Sequence, residues 1–186
     1  MAFQLSDRAK ALIPKARIVS FTALQNRYGA ELLKQLQVAD DERRYLSDEE
    51  MAALGDEEGA KAARFLRDNA DEIVTDARRQ VLEQHPGITE PGGALYPEFR
   101  AKACWRDFWQ FLRCITYGIA TGSTEFTSAV GLSAMNELYT EMQVPLPAMV
   151  TGLEALKAES LKRLSAQEAE LAPYFDHLIE KMRAFS

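Results

Sequence analysis

The chain has little of what most enzymes need. Only two histidines, His85 and His177, and two cysteines, Cys104 and Cys114, occur in 186 residues. Neither histidine stands three residues after a glutamate, so the Glu-x-x-His pattern of di-iron bundles is missing. His-Glu-x-x-His, Gly-x-Ser-x-Gly and Gly-x-Gly-x-x-Gly are missing too. Two cysteines without further ligands make no zinc site. Ten residues apart on one helix they stand about 15 Å apart, beyond disulfide reach. Both are expected as free thiols, and Cys114, between Arg113 and Ile115, as plain core. A haem globin is disfavoured as well, because neither histidine reads as a proximal ligand midway along a helix. The chain is expected not to be an enzyme.

Other shortages narrow the class further. No apolar run approaches the ~20 residues of a membrane span, and the N-terminal residues form no signal peptide. A cytoplasmic chain without membrane insertion is expected. Lys and Arg total 22 against 28 Asp and Glu, a net charge of −6, and the cations form no stripe. Nucleic acid is therefore an unsuitable partner, since phosphate affinity needs clustered positive charge.

What is present is helical periodicity, with very little alternation of period two. Ala70, Ile73, Val74, Ala77, Val81 and Leu82 make one stripe, closed by His85-Pro86-Gly87. Cys104, Phe108, Phe111, Ile115 and Ile119 make a second, stopped near Gly122. Leu132, Met135, Tyr139 and Met142 make a third, ended before Pro145. Ser47 to Glu50 and Ser165 to Glu168 read as capping boxes. Pro173 predicts a break or a first-turn position. The segment from His85 to Pro97 is expected as the longest non-helical stretch. The fold class is all-α, with seven or eight helices in one domain spanning residues 1–186.

The richest chemistry is Cys104-Trp105-Arg106-Asp107, where a thiol, a guanidinium and a carboxylate share about one turn of an aromatic helix. Such a set suits a flat apolar ligand with anionic tails and N–H donors, and a linear tetrapyrrole has that form. Arg100, Cys104 and Asp107 lie within about 60° on the helical wheel; Arg106 lies about 160° from Cys104 and must curl around the edge. Lys102 shares the Arg106 stripe. Tyr96 and Trp109 are candidate walls, although aromatics at helical spacing are more often core.

With the helices placed, the chain resembles the phycobiliprotein family along most of its length. The matching stretches are Ala39-Asp40-Asp41-Glu42-Arg43-Arg44-Tyr45-Leu46-Ser47, Leu66-Arg67-Asp68-Asn69 and Pro91-Gly92-Gly93-Ala94-Leu95-Tyr96. Stronger is Cys104-Trp105-Arg106-Asp107 followed by Leu112-Arg113-Cys114-Ile115-Thr116-Tyr117-Gly118. Pro173-Tyr174-Phe175-Asp176-His177-Leu178-Ile179 resembles the end of an allophycocyanin-type subunit.

The resemblance implies a globin-like fold with extra N-terminal helices, here residues 1–46. It implies a bilin of the phycocyanobilin or biliverdin type, thioether-linked through Cys104. Arg106, and further Arg100, would hold its propionates, and Asp107 would face its pyrrole nitrogens. Asp40 and Arg113, with Tyr117 beside them, resemble a pair bridging two subunits, which implies a homodimer or a heterodimer with a paralog. Ala94, Cys114, Ser123, Gln143 and a longer N-terminus depart from the antenna pattern. The first expectation is therefore a bilin carrier or partner of bilin metabolism. A phycobilisome light-harvesting subunit and a ligand-free globin-like scaffold are the alternatives.

Overall fold

A computed structural model of the chain describes residues 4–186, and no strand occurs among them. Nine α-helices follow in order among the described residues: α1 Asp7–Leu12, α2 Ala30–Asp41, α3 Asp48–Ala53, α4 Glu57–Asp68 and α5 Ala70–Gln84. Then come α6 Glu98–Thr121, α7 Ala129–Glu141, α8 Leu146–Arg163 and α9 Glu168–Arg183. The count exceeds the expected seven or eight because α1 is a single short helix and Asn69 separates α4 from α5.

Local chemistry sets most of these boundaries. Ser6, Asp56 and Ser128 each accept a backbone N–H from the first turn of their helix, satisfying a donor that has no intrahelical partner. Ser47 and Glu50 form the full capping box of α3. Gly122 ends α6 in the left-handed conformation at φ 63°, as the sequence predicts.

The second expected box does not form. Ser165 opens a 3₁₀ turn, and α9 starts after Gln167, whose side chain makes no capping hydrogen bond. Pro173 breaks nothing: it lies inside α9, which runs through it with one backbone hydrogen bond fewer. Its neighbours Leu171 and Phe175 are buried and hold the helix by packing.

Helix α6 is the axis of the molecule. From Phe111 to Thr121 every one of its residues is buried, so this half is enclosed on all sides, as a helix surrounded by other helices must be. Helix α4 packs along it, α8 lies across α5, and α9 packs on both α8 and α6. Phe108, Phe111, Met149, Leu153 and Phe175 form the centre and are 1% exposed or less. Each buried side chain of this size contributes about 1.5–3 kcal/mol.

The N-terminal segment is less helical than expected. Between α1 and α2 it runs without α-helix, with a 3₁₀ turn at Thr22–Leu24, and is a longer non-helical stretch than 85–97. It is nevertheless well held. Val19 pairs with Thr127 in an isolated antiparallel bridge, supported by Ser20 N–H to Phe126 O at 2.9 Å and Ser128 N–H to Ile18 O at 2.7 Å. Gly131, on the first turn of α7, makes that approach possible: a Cβ there would lie 1.7 Å from the Arg17 carbonyl oxygen. Helix α1 then packs on α7.

Candidate functional site

The first half of α6, the end of α7, the turn leading to α8 and the N-terminal segment border an open cavity of about 850 Å³. That volume lies within the range of ligand pockets, about 300–1,000 Å³. Cys104, Arg106, Asp107 and Arg100 all border it. Lys102, Tyr96 and Trp109 do not.

Cys104 is 4% exposed, and its Sγ lies 3.1 Å from Met149 Sδ on α8. Burial pushes its thiol well above the ordinary value, and the Asp107 charge adds to the shift. The sulfur is thus a protonated, unactivated nucleophile within reach of the cavity. Cys114 is fully buried, with its thiol pushed up to about 12 by burial, and plays the core part expected of it. Both cysteines are free.

Asp107, one turn on, is partly buried. Its Oδ2 accepts from the Tyr139 hydroxyl at 2.8 Å. Burial raises its pKa, against the hydrogen bond from Tyr139 and the charges of Arg106 and Arg43, which lower it. Tyr139 was legible only as part of the α7 stripe. Its role follows from the rule that a buried phenol needs a polar partner, but the partner lies 32 residues away.

The arginines divide by occupation. Arg100 donates to three carbonyls: Ala94 at 2.9 Å, Met142 at 3.0 Å and Gln143 at 2.8 Å. It ties the 85–97 loop to the α7–α8 turn, where Gln143 is left-handed at φ 52°. Arg106 reaches the cavity edge despite its place on the wheel, as a long side chain can. It has no hydrogen bond or ion pair among the described residues.

The other candidates have occupations of their own. Lys102 pairs with Glu98 at 2.9 Å on an exposed face. Tyr96 is 48% exposed in the loop before α6. Trp109 meets Tyr45 edge-on with centroids 4.7 Å apart. His85 and His177 each hydrogen-bond a threonine, Thr151 at 2.9 Å and Thr127 at 2.8 Å, and neither borders the cavity.

The Asp40–Arg113 pair expected between subunits closes within the chain. Asp40 Oδ1 accepts from Arg113 at 2.9 Å, and both side chains are buried. Arg17, from the N-terminal segment, holds Asp40 Oδ2 at 2.6 Å and Asp41 at 2.7 Å. The Arg113 guanidinium lies 5.0 Å over the Tyr117 ring, and Tyr117 is itself fully buried, donating to the Arg44 carbonyl. The reason is geometric: α2 folds back so that its last turn meets the middle of α6. Leu5, Ile13, Ala16 and Ile18 of the same N-terminal segment wall the cavity, a contribution sequence reading missed.

A family model described as phycobilisome protein matches residues 34–182. Allophycocyanin subunit alpha-B of Nostoc sp. is 38% identical over 150 residues, covering 77% of this chain and 93% of that protein. The allophycocyanin alpha chain of Thermosynechococcus vestitus is 34% identical over 156 residues, covering 81% and 97%. Among solved structures, a far-red fluorescent biliprotein derived from an allophycocyanin F subunit of Chroococcidiopsis thermalis superposes with a TM-score of 0.63 at 23% identity. That alignment covers 69% of this chain and 98% of the other, and carries the fold alone.

Proposed function

Because this chain belongs to the phycobilisome protein family, whose members are pigment-bearing and not enzymes, we propose that it holds a linear tetrapyrrole in the α6–α7 cavity and serves as a light-harvesting subunit. The observation that carries this reading is the cavity itself, which gathers Cys104, Arg106 and Asp107 in about 850 Å³.

The residues fit the group. Arg106 has no other partner among the described residues and would hold a propionate, while Asp107 would accept from pyrrole N–H groups. Cys104 would form the thioether by adding S–H across an exocyclic double bond, sulfur to one carbon and hydrogen to its neighbour. Its raised thiol pKa makes unassisted addition slow at neutral pH, which favours loading with the help of a lyase. The bound group would supply the visible absorption, and the protein would hold it extended and dry.

The antenna role is better supported than the carrier role, because the matched relatives are allophycocyanin subunits over nearly their full length. Assembly would be with a paralogous subunit, in the cytoplasm.

The test is coexpression with bilin-forming enzymes and a lyase. Absorbance is recorded before and after acid–urea denaturation, and mass is measured with and without an allophycocyanin-type partner subunit. A colourless product would leave the ligand-free scaffold. A coloured chain that stays alone with such a partner would return the carrier.

A further inference from the structure

Six cationic side chains border the cavity: Lys10, Arg17, Arg43, Arg100, Arg106 and Arg113. Four are engaged. Lys10 pairs with Asp7 at 3.1 Å, and Arg17 is shared by Asp40 and Asp41. Arg100 is committed to three carbonyls, and Arg113 to Asp40 and Gln110. Arg43 and Arg106 alone make no side-chain hydrogen bond or ion pair among the described residues.

These two come from different elements. Arg106 projects from the middle of α6, and Arg43 lies just beyond the end of α2. Arg43 is left-handed at φ 54°, with its N–H bonded to Asp40 O at 2.9 Å and the next N–H to Ala39 O at 3.1 Å. This is a helix-terminating position that glycine or asparagine ordinarily takes. An arginine there is uncommon and costs backbone energy.

Around the cavity the acids offer these two nothing more. Asp40 is taken by Arg17 and Arg113, and Asp107 by Tyr139. Two guanidiniums on the cavity border are thus left without a carboxylate of their own among the described residues.

We propose that Arg43 is a second carboxylate anchor of the cavity. A tetrapyrrole with two propionate arms would be held by Arg106 through one arm and by Arg43 through the other. This rests on the tetrapyrrole reading and adds to it a specificity: the site selects a dicarboxylate. Arg43 acts through charge, since its guanidinium and that of Arg106 both bear on the Asp107 carboxyl.

The experiment uses the full chain carrying Cys104→Ala, so that binding is reversible, titrated with biliverdin and with biliverdin dimethyl ester by tryptophan quenching. Arg43→Gln should weaken biliverdin about tenfold, as for a charge-assisted hydrogen bond, and leave the ester unchanged. Arg43→Asn, which suits the left-handed backbone, should match Arg43→Gln, and Arg43→Lys should recover part of the loss. Equal weakening of both ligands would reduce Arg43 to a structural residue, and no change with either would overturn the anchor. A Cys104→Ala parent that binds neither ligand would overturn the tetrapyrrole reading itself. A parent that binds both equally well would overturn the dicarboxylate selection alone.

Discussion

Asp40 on α2 and Arg113 on α6 meet at 2.9 Å inside one chain, with 3% and 5% of their side chains exposed. The pair welds the N-terminal part of the molecule to its central helix, and Arg17 on the second oxygen of Asp40 extends the weld to the cavity wall. One Arg113 nitrogen, Nη1, is buried without a partner among the described residues, so the network there is incompletely satisfied.

Removing the guanidinium should therefore act on folding before it acts on assembly. Arg113→Ala is expected to destabilise the chain by about 3–5 kcal/mol, the cost of leaving a buried partner charge short of its counter-ion, eased by Arg17. Urea unfolding at several protein concentrations checks this. A loss that disappears at high concentration would place the pair between subunits after all.

The N-terminal wall is open to a single-atom test. Gly131→Ala puts a methyl 1.7 Å from the Arg17 carbonyl, a backbone atom that cannot step aside alone. Residues around Arg17 to Ser20 must shift, at about 1–3 kcal/mol, the usual cost of overpacking. In the pigmented protein the long-wavelength band should weaken, because the wall contributed by Ile13 and Ile18 withdraws. Colour that survives denaturation should be unaffected. An unchanged native spectrum would show that this wall does not touch the pigment.

The two thiols should separate cleanly. Cys104→Ala is expected to abolish colour that survives acid–urea, while Cys114→Ala keeps it and loses about 1 kcal/mol of stability from a small core void. Both thiols lie above the neutral range, so alkylation of the folded, pigment-free chain at pH 8 should be slow and should accelerate on unfolding. Fast modification of Cys104 at pH 8 would mean that the thiol is more exposed or more acidic than its place against Met149 implies.

The legible parts were those decided by neighbours in sequence. The stripes of α5, α6 and α7, the stop at Gly122 and the box at Ser47 depend on residues within a turn or two, and they appear where expected. The Ser165 box shows the same local pattern, but an intervening 3₁₀ turn moves the helix start to Glu168. At the site, Cys104 and Asp107 share a helical face and arrive together. Trp109 is close in sequence yet turned about 140° from Cys104, and lands on Tyr45. Tyr139 and the wall from Leu5 to Ile18 depend on how distant segments fold back, which no spacing rule encodes.

Asp107 supplies a pH test whose sign is fixed. Burial holds its carboxyl above the ordinary range, against the pull of Tyr139 and the guanidiniums of Arg106 and Arg43. The folded chain therefore binds this proton more tightly than the unfolded chain does. Its stabilising effect is complete below the unfolded value, about 3.9, and is lost as pH rises through the raised folded value. Asp107→Asn removes this dependence while keeping an acceptor for Tyr139. Without pigment, the variant should gain on the wild type as pH rises through that window and hold the gain above it. With pigment, the order should reverse, because an amide is a weaker acceptor for pyrrole N–H groups than a carboxylate. Paired urea titrations from pH 4 to 7, with and without bilin, read both effects. A stability difference that does not change with pH would mean that water reaches Asp107 freely and that the cavity does not desolvate it.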